Sequence, residues 1–212
     1  MFKFAEGVKK VAALPFFYKI TDHTLTFSDH HAIYYKTNII MEEKKVKEEI
    51  NRQENTDIEQ YRKFIESISP DKYVITQTPP GTGYDALQYN TETGERILIE
   101  IKNRDNYAYD DFSTFHLSLH KIDTMQEMLV EENAQKGFVA ALYPKSDKVV
   151  LFDITYTTTQ DMGADDIQWV YVKKTQYDPD SPRIWQPKAV LDLKHGHHRN
   201  YSTYVYDFDF NK

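Results

Sequence analysis

The stretch that decides how the chain is read is Tyr84-Asp85-Ala86-Leu87, taken together with Ile97-Leu98-Ile99-Glu100-Ile101-Lys102. Between its two halves, Asn90-Thr91-Glu92-Thr93-Gly94-Glu95 is polar and holds the glycine that tight connections favour. The spacing predicts two antiparallel strands joined by a four-residue loop, Thr91 to Gly94, with Asn90 facing Glu95. Counting back along both strands sets Asp85 opposite Glu100. Side chains so paired have Cβ atoms roughly 5 Å apart, and like charges there destabilise a sheet. Lys102, two residues beyond Glu100, points to the same face. Two carboxylates and one ammonium converge, and a hard divalent cation with oxygen ligands would explain why they are tolerated.

Charges on a hairpin ordinarily form a solvated face. Here Ile97, Leu98, Ile99 and Ile101 make an almost continuous apolar run, the pattern of a strand covered on both sides. An unpaired charge in such a strand is expensive. A buried Glu100–Lys102 ion pair without metal is the competing explanation, but same-strand neighbours on one face are expected to close such a pair poorly.

With 212 residues the chain can hold one large domain or a core with an appendage. Its 16 Tyr and 12 Phe favour extensive sheet. No stretch approaches the roughly 20 apolar residues of a membrane helix, so no membrane partner is expected. Residues 1–7 lack the apolar run of a secretory signal. The absence of Cys rules out disulfides and thiolate metal sites and suits a cytoplasmic protein. A net charge of −7 argues against a broad basic face, so any nucleic-acid contact must be local, metal-assisted or made through a partner.

Taken in order, residues 1–13 allow a short helix, and residues 16–20, 24–27 and 32–35 read as short β runs. Together they predict a β-rich N-terminal extension over residues 1–41. Residues 42–69 read as helical, with Asn55 or Thr56 capping a second segment. In that segment Ile58, Tyr61, Phe64, Ile65 and Ile68 share a face, and Pro70 is the stop. A strand over 73–77 and a Pro- and Gly-rich loop deliver the chain to Asp85. After Lys102, the polar residues 103–111 read as a rim beside a site. A helix with Ile122, Met125, Met128 and Leu129 as its stripe is expected to end at Gly137, followed by strands over 138–143 and 148–154. Strands over 167–172, 189–193 and 201–210, with a loop at 177–182, predict a β-rich C-terminal appendage spanning 157–212 on a core of 42–156.

The resulting order is helix, strand, strand with Asp85, strand with Glu100-Ile101-Lys102, helix, strand. With Gly83-Tyr84-Asp85 it resembles the PD-(D/E)xK nuclease superfamily, which includes restriction endonucleases, Holliday-junction resolvases and phage-encoded nucleases. The resemblance covers about residues 44–155, and Tyr84 stands where the family's name has Pro. It implies an α+β protein with an α/β restriction-endonuclease-like core: a central mixed β-sheet flanked by helices, with additional N- and C-terminal β segments. It also implies that Asp85 and Glu100 bind Mg²⁺ or Mn²⁺ with the Ile101 carbonyl, and that Lys102 orients or deprotonates the attacking water. A metal beside Lys102 should bring its pKa down toward the general-base range. The family's helical acid has candidates in Glu54, Asp57 and Glu59, with Glu59 and Asp57 foremost. Leu117-Ser118 followed by Lys121 resembles a feature that borders the family's site. Asn103, Arg104, His116, Ser118 and Lys121 are candidates to contact the flanking phosphates.

Two clusters lie outside this scheme. His195-Gly196-His197-His198-Arg199 could bind zinc or copper or touch phosphate, with a His-rich loop as the plainer reading. Trp169 and Trp185 could stack on bases, with core or edge packing as the default. Three functions follow for testing. The first is a Mg²⁺-dependent DNA endonuclease, encoded by a phage or mobile element. The second is a catalytically silent nuclease-fold protein serving as a nucleic-acid-binding or assembly subunit. The third is an unrelated small-molecule enzyme or interaction domain. DNA is the expected partner, and a homodimer or larger assembly would suit cutting both strands. The expected location is the cytoplasm, or the virion and host cytoplasm for a phage protein.

Overall fold

The computed structural model describes residues 27–79, 81–173 and 181–211. The chain divides into two compact units, residues 1–44 and 45–212. Helix α1, Phe27–Ile68, contributes to both. Residues 32–35, expected as a strand, lie inside α1, because a short apolar run has no period that separates strand from helix. The helix expected within residues 1–13 and the β run at 16–20 lie outside the described residues, as does the run at 24–27 except for Phe27, which begins α1. No second segment begins at Asn55. Thr56 Oγ1 donates to the Arg52 carbonyl one turn back, at 3.0 Å, so its hydroxyl is satisfied within α1 and caps nothing.

The described residues of 45–212 form two sheets. Their strands are β1 Tyr73–Gln77, β2 Ala86–Asn90, β3 Arg96–Asn103, β4 Thr114–Ser118, β5 Lys136–Tyr143, β6 Lys148–Asp153, β7 Ile167–Lys173, β8 Arg183–Asp192, β9 Gly196–His197 and β10 Ser202–Asp207. Helix α2, Leu119–Glu131, lies between β4 and β5. The central sheet has the order β1-β2-β3-β5-β6-β10-β9. In it β3 and β5 are parallel and the other neighbours antiparallel. A parallel pair needs a crossover, which β4 and α2 supply. The second sheet, β4-β8-β7, is antiparallel throughout. This is the expected α+β architecture, a mixed central sheet with helices on both faces. Ile58, Tyr61, Phe64 and Ile65 of α1 pack with Ile97, Ile99 and Ile101 on one face. Ile122, Met125 and Leu129 of α2 pack with Leu98, Val139 and Phe152 on the other.

The β-rich residues expected as an appendage packed on the core, 157–212, share the sheets of that core. Strand β10 joins the central sheet beside β6, β8 pairs with β4, and all belong to one compact unit. Helix α2 also ends earlier than expected. The left-handed residue after it is Asn133, with φ of 49°, whereas Gly137 sits inside β5. A Cβ at Gly137 would meet Met125 Cε at 3.4 Å and Leu129 Cδ1 at 3.5 Å, so the missing side chain lets α2 lie close on the sheet. Among the described residues no helix is long and apolar enough to cross a membrane.

The hairpin follows the register counted from the sequence. Ala86 pairs with Ile99, Leu87 with Leu98 and Gln88 with Ile97. Asn90 N–H donates to the Glu95 carbonyl at 2.8 Å, and Gly94 N–H to the Asn90 carbonyl at 2.9 Å. The Asn90 side chain accepts from the Glu92 and Thr93 amides, at 2.9 and 3.0 Å. An Asn that organises its own turn, with glycine at φ of 78°, leaves the strands little freedom to slip.

Candidate active site

Alternation along β3 sorts its side chains. Ile97, Ile99 and Ile101 enter the core on the α1 side, and Leu98 enters the core on the α2 side. Glu100 and Lys102 follow Leu98, while Asn103 returns to the α1 side. There Asn103 Nδ2 donates to Asp57 Oδ1 at 2.8 Å, tying the end of β3 to α1.

Glu100 has no exposed surface. Lys102 Nζ lies 2.5 Å from its Oε1, and Lys121 Nζ of α2 lies 2.9 Å from its Oε2. The ion pair with Lys102 therefore does close, contrary to expectation, and a second lysine completes it. The contact at Oε1 is close enough for an ion pair but off the line of a hydrogen bond, so this buried oxygen has an opposing charge without an aligned donor. Lys121 also reaches the Gly83 carbonyl at 3.4 Å.

Asp85 lies at the residue before β2 begins. Its N–H donates to the Ile99 carbonyl at 2.8 Å, and its Oδ2 accepts from Ile101 N–H at 2.6 Å. Burial, and after it the charge of Glu100, pushes its carboxyl up to about 6. Burial alone would lower the Lys102 ammonium, but Glu100 and Asp85 outweigh it, and the net shift is upward. The lowering expected from the sequence depends on a metal ion beside Lys102; its neighbouring side chains alone shift it upward.

These residues suit a magnesium-like ion. Such an ion needs only one or two carboxylates and keeps several waters. Two carboxylates of like charge, one of them with a buried oxygen short of a hydrogen bond, are the donors it takes. The N–H and carbonyl of one strand residue point to the same side. The Ile101 carbonyl therefore lies on the Asp85 side of β3, beyond the point where β2 starts pairing. Among the described residues there is no group of three or more His, Asp or Glu that could hold a metal ion.

The site opens into a cleft of about 700 Å³. Six carboxylates line it, from Glu49, Glu54, Asp57, Asp85, Glu100 and Asp105, against three cationic side chains, Lys102, Arg104 and Lys121. A phosphate would be repelled on balance unless a cation accompanied it. Asp57 and Glu54 both line this cleft. Glu59 does not: it is exposed and paired with Arg62. Burial raises the Asp57 carboxyl, opposed by hydrogen bonds from Asn103 and Gln53.

The other candidates divide. Asn103, Arg104 and Lys121 line the cleft, and the Arg104 guanidinium lies 4.7 Å from the Phe115 ring centre. His116 and Ser118 do not line it. They sit on β4, opposite Val190 and Lys188 of β8. Lys188 was not anticipated. Burial and the charge of Lys102 hold its ammonium low, which places it in the electrostatic reach of the site. Its signal was hidden because Pro187 interrupts the strand pattern ahead of Ala189. The His-rich run forms no common centre. His197 Nδ1 lies 2.8 Å from Ser202 Oγ, His198 stacks on Tyr201 at 4.6 Å, and His195 Nδ1 accepts from Val205 N–H at 3.3 Å.

No protein-family model matches the chain, and no curated protein matches it. Among solved structures it is similar to Hjc, a Holliday junction resolvase from the archaeal hyperthermophile Archaeoglobus fulgidus. The identity is 14% and the TM-score 0.34, over 45% of this chain and 70% of that one. A likeness of this extent leaves the activity to be argued from the residues of the site.

Proposed function

We propose that the chain is a metal-dependent nuclease hydrolysing phosphodiester bonds in DNA, with Asp85, Glu100 and Lys102 as its catalytic residues. The observation that carries this reading is the meeting of Asp85 with the Glu100-Ile101 stretch of a buried strand, set by the hairpin register and by the 2.6 Å bond from Ile101 N–H to Asp85 Oδ2. Held by these two carboxylates and the Ile101 carbonyl, Mg²⁺ or Mn²⁺ would polarise a phosphodiester and lower the pKa of a bound water. Lys102, anchored on Glu100 and about one-third exposed, orients the attacking water, and a cation bound beside it would lower its ammonium toward the range in which it takes that water's proton. Lys121 shares the charge of Glu100 and, with Arg104, faces the phosphates entering the cleft. Asp57 is the helical acid in preference to Glu59, and Asn103 positions it. Supercoiled plasmid should be nicked in Mg²⁺ or Mn²⁺ and left intact in EDTA. Lys102→Ala, with its circular dichroism unchanged, should lose at least about 100-fold of that rate. Nicking that survives Lys102→Ala would remove the assignment.

A second reading draws on the double pairing of Glu100. Lys102 and Lys121 neutralise it with side chains alone, as suits a nuclease-fold protein that binds nucleic acid or serves an assembly without turnover. DNA binding with no metal-dependent cleavage would select it.

A further inference from the structure

We infer that the β7–β8 hairpin is a stacking platform for unpaired nucleic-acid bases. The inference rests on the nucleic-acid reading of the cleft and adds its substrate class, a nucleic acid with a single-stranded segment. In a chain with 33 acidic residues and a net charge of −7, residues 167–173 and 183–191 contain no Asp or Glu, and they carry Lys173, Arg183 and Lys188. The connecting residues 174–182 add Lys174, Asp178 and Asp180.

The pairing register lays these residues out in order. Lys173 is opposite Arg183, Tyr171 opposite Trp185, and Trp169 opposite Pro187. Directly paired residues share a face, as do residues two apart on one strand. One face therefore presents two cations, then two aromatic rings, then a third ring against a proline. Further along β8 the same face is core, with Ala189 and Leu191 fully buried. Beyond that support the hairpin leaves Trp169 61%, Tyr171 49% and Trp185 64% exposed. The Tyr171 and Trp185 ring centres are 5.2 Å apart.

Exposed aromatic surface of this extent marks a contact site, and its composition selects the partner. Any base can stack on an aromatic ring, and adjacent cations take the phosphates. A duplex offers neither free base faces nor a backbone close enough to them. The location fits as well. Lys188, three residues and about 10 Å along β8 from Trp185, lies on the other face of the sheet and within reach of the charge of Lys102.

Trp169 and Trp185 are the two tryptophans of the chain, so tryptophan emission, excited selectively over the 16 tyrosines, reports this hairpin. The test titrates the full-length protein in EDTA with a fluorescently labelled oligothymidine, following tryptophan emission and label anisotropy together. Emission should be quenched as anisotropy rises. Trp185→Ala should weaken binding about 5- to 100-fold, and Trp185→Phe should restore most of it. A duplex of equal length should bind at least about tenfold more weakly and leave the emission unchanged. Binding and quenching without metal-dependent cleavage by the wild type would uphold the platform while removing the nuclease reading. Anisotropy that rises with emission unchanged would overturn the platform and leave the cleft reading standing. An emission shift that follows protein concentration, with a dimer mass and no oligonucleotide present, would overturn it in favour of self-association. No binding at all would overturn it outright.

Discussion

Strand β3 and the β7–β8 hairpin depart from the usual sorting of residues in opposite directions. Strand β3 carries a carboxylate with no exposed surface, and the hairpin carries two tryptophans mostly in solvent. Buried polar groups and exposed large apolar groups are the two informative exceptions to burial, and here they differ in what compensates them. Glu100 is held from two sides by Lys102 and Lys121, on a strand packed over both faces. Its position is therefore over-determined, as chemistry requires. The hairpin aromatics extend past the core that buries the rest of β8. Changes at β3 should thus register in stability and chemistry together, and changes at the hairpin in binding alone.

The largest expected effect separates the two at once. Glu100→Ala removes a proposed metal ligand and strands two lysines, so plasmid nicking should disappear and urea melts should show a loss of about 1–3 kcal/mol. Retained nicking would break the assignment. Next comes the glycine that brings the chain to Asp85. Gly83 has φ of 96°, and a Cβ there would lie 2.5 Å from Thr124 Cγ2, whereas Gly81 has φ of 89° and open space around it. Gly83→Ala should cost about 2–3 kcal/mol, and Gly81→Ala only the left-handed backbone penalty of about 1 kcal/mol. Equal losses in the two melts would mean that the approach to α2 is not what Gly83 serves.

A smaller effect follows pH. The Asp85 carboxyl, at about 6 when folded against 3.8 as its ordinary value, binds its proton more tightly in the native state. Stability of the metal-free protein should therefore fall as pH rises from about 4 to about 6, with the penalty complete above that window. Asp85→Asn should flatten this part of the curve, and Glu100→Gln should reduce it by removing the like charge. A slope unchanged in Asp85→Asn, measured by urea melts in EDTA, would assign the pH dependence elsewhere. Smallest of all, Trp185→Ala should leave stability within about 0.5 kcal/mol, a value that a melt can contradict directly.

What was legible in the sequence was local. Asn90 and Gly94 set the turn, and strand alternation carried the count from Asn90–Glu95 back to Asp85 and Glu100. What was missed depended on contacts distant along the chain. The resemblance brings Lys121 to the border of the site, but its partnership with Glu100, 21 residues away, comes from the packing of α2 on β3. Asp57 and Glu59 looked equivalent as helical acids. Two residues along a helix is more than half a turn, so one faces the cleft and the other faces Arg62. Thr56 looked like a cap because the sequence does not show whether its hydroxyl bonds forward or back. The outer half of β8 was obscured by Pro187, and with it Lys188 and the partner of Tyr171. Core packing of Trp169 and Trp185, one half of their default reading, fails because burial is decided by where the core ends, whereas the edge half holds, since β7 is an edge strand.

The central claim is that Asp85 and Glu100 hold a divalent cation. Calorimetric titration of the full-length protein with Mn²⁺ tests it without any substrate. Saturable binding is expected, lost in both Asp85→Asn and Glu100→Gln while the fold persists. Wild-type protein that takes up no Mn²⁺, with Lys102 and Lys121 still closed on Glu100 in a Mn²⁺-soaked crystal, would contradict it.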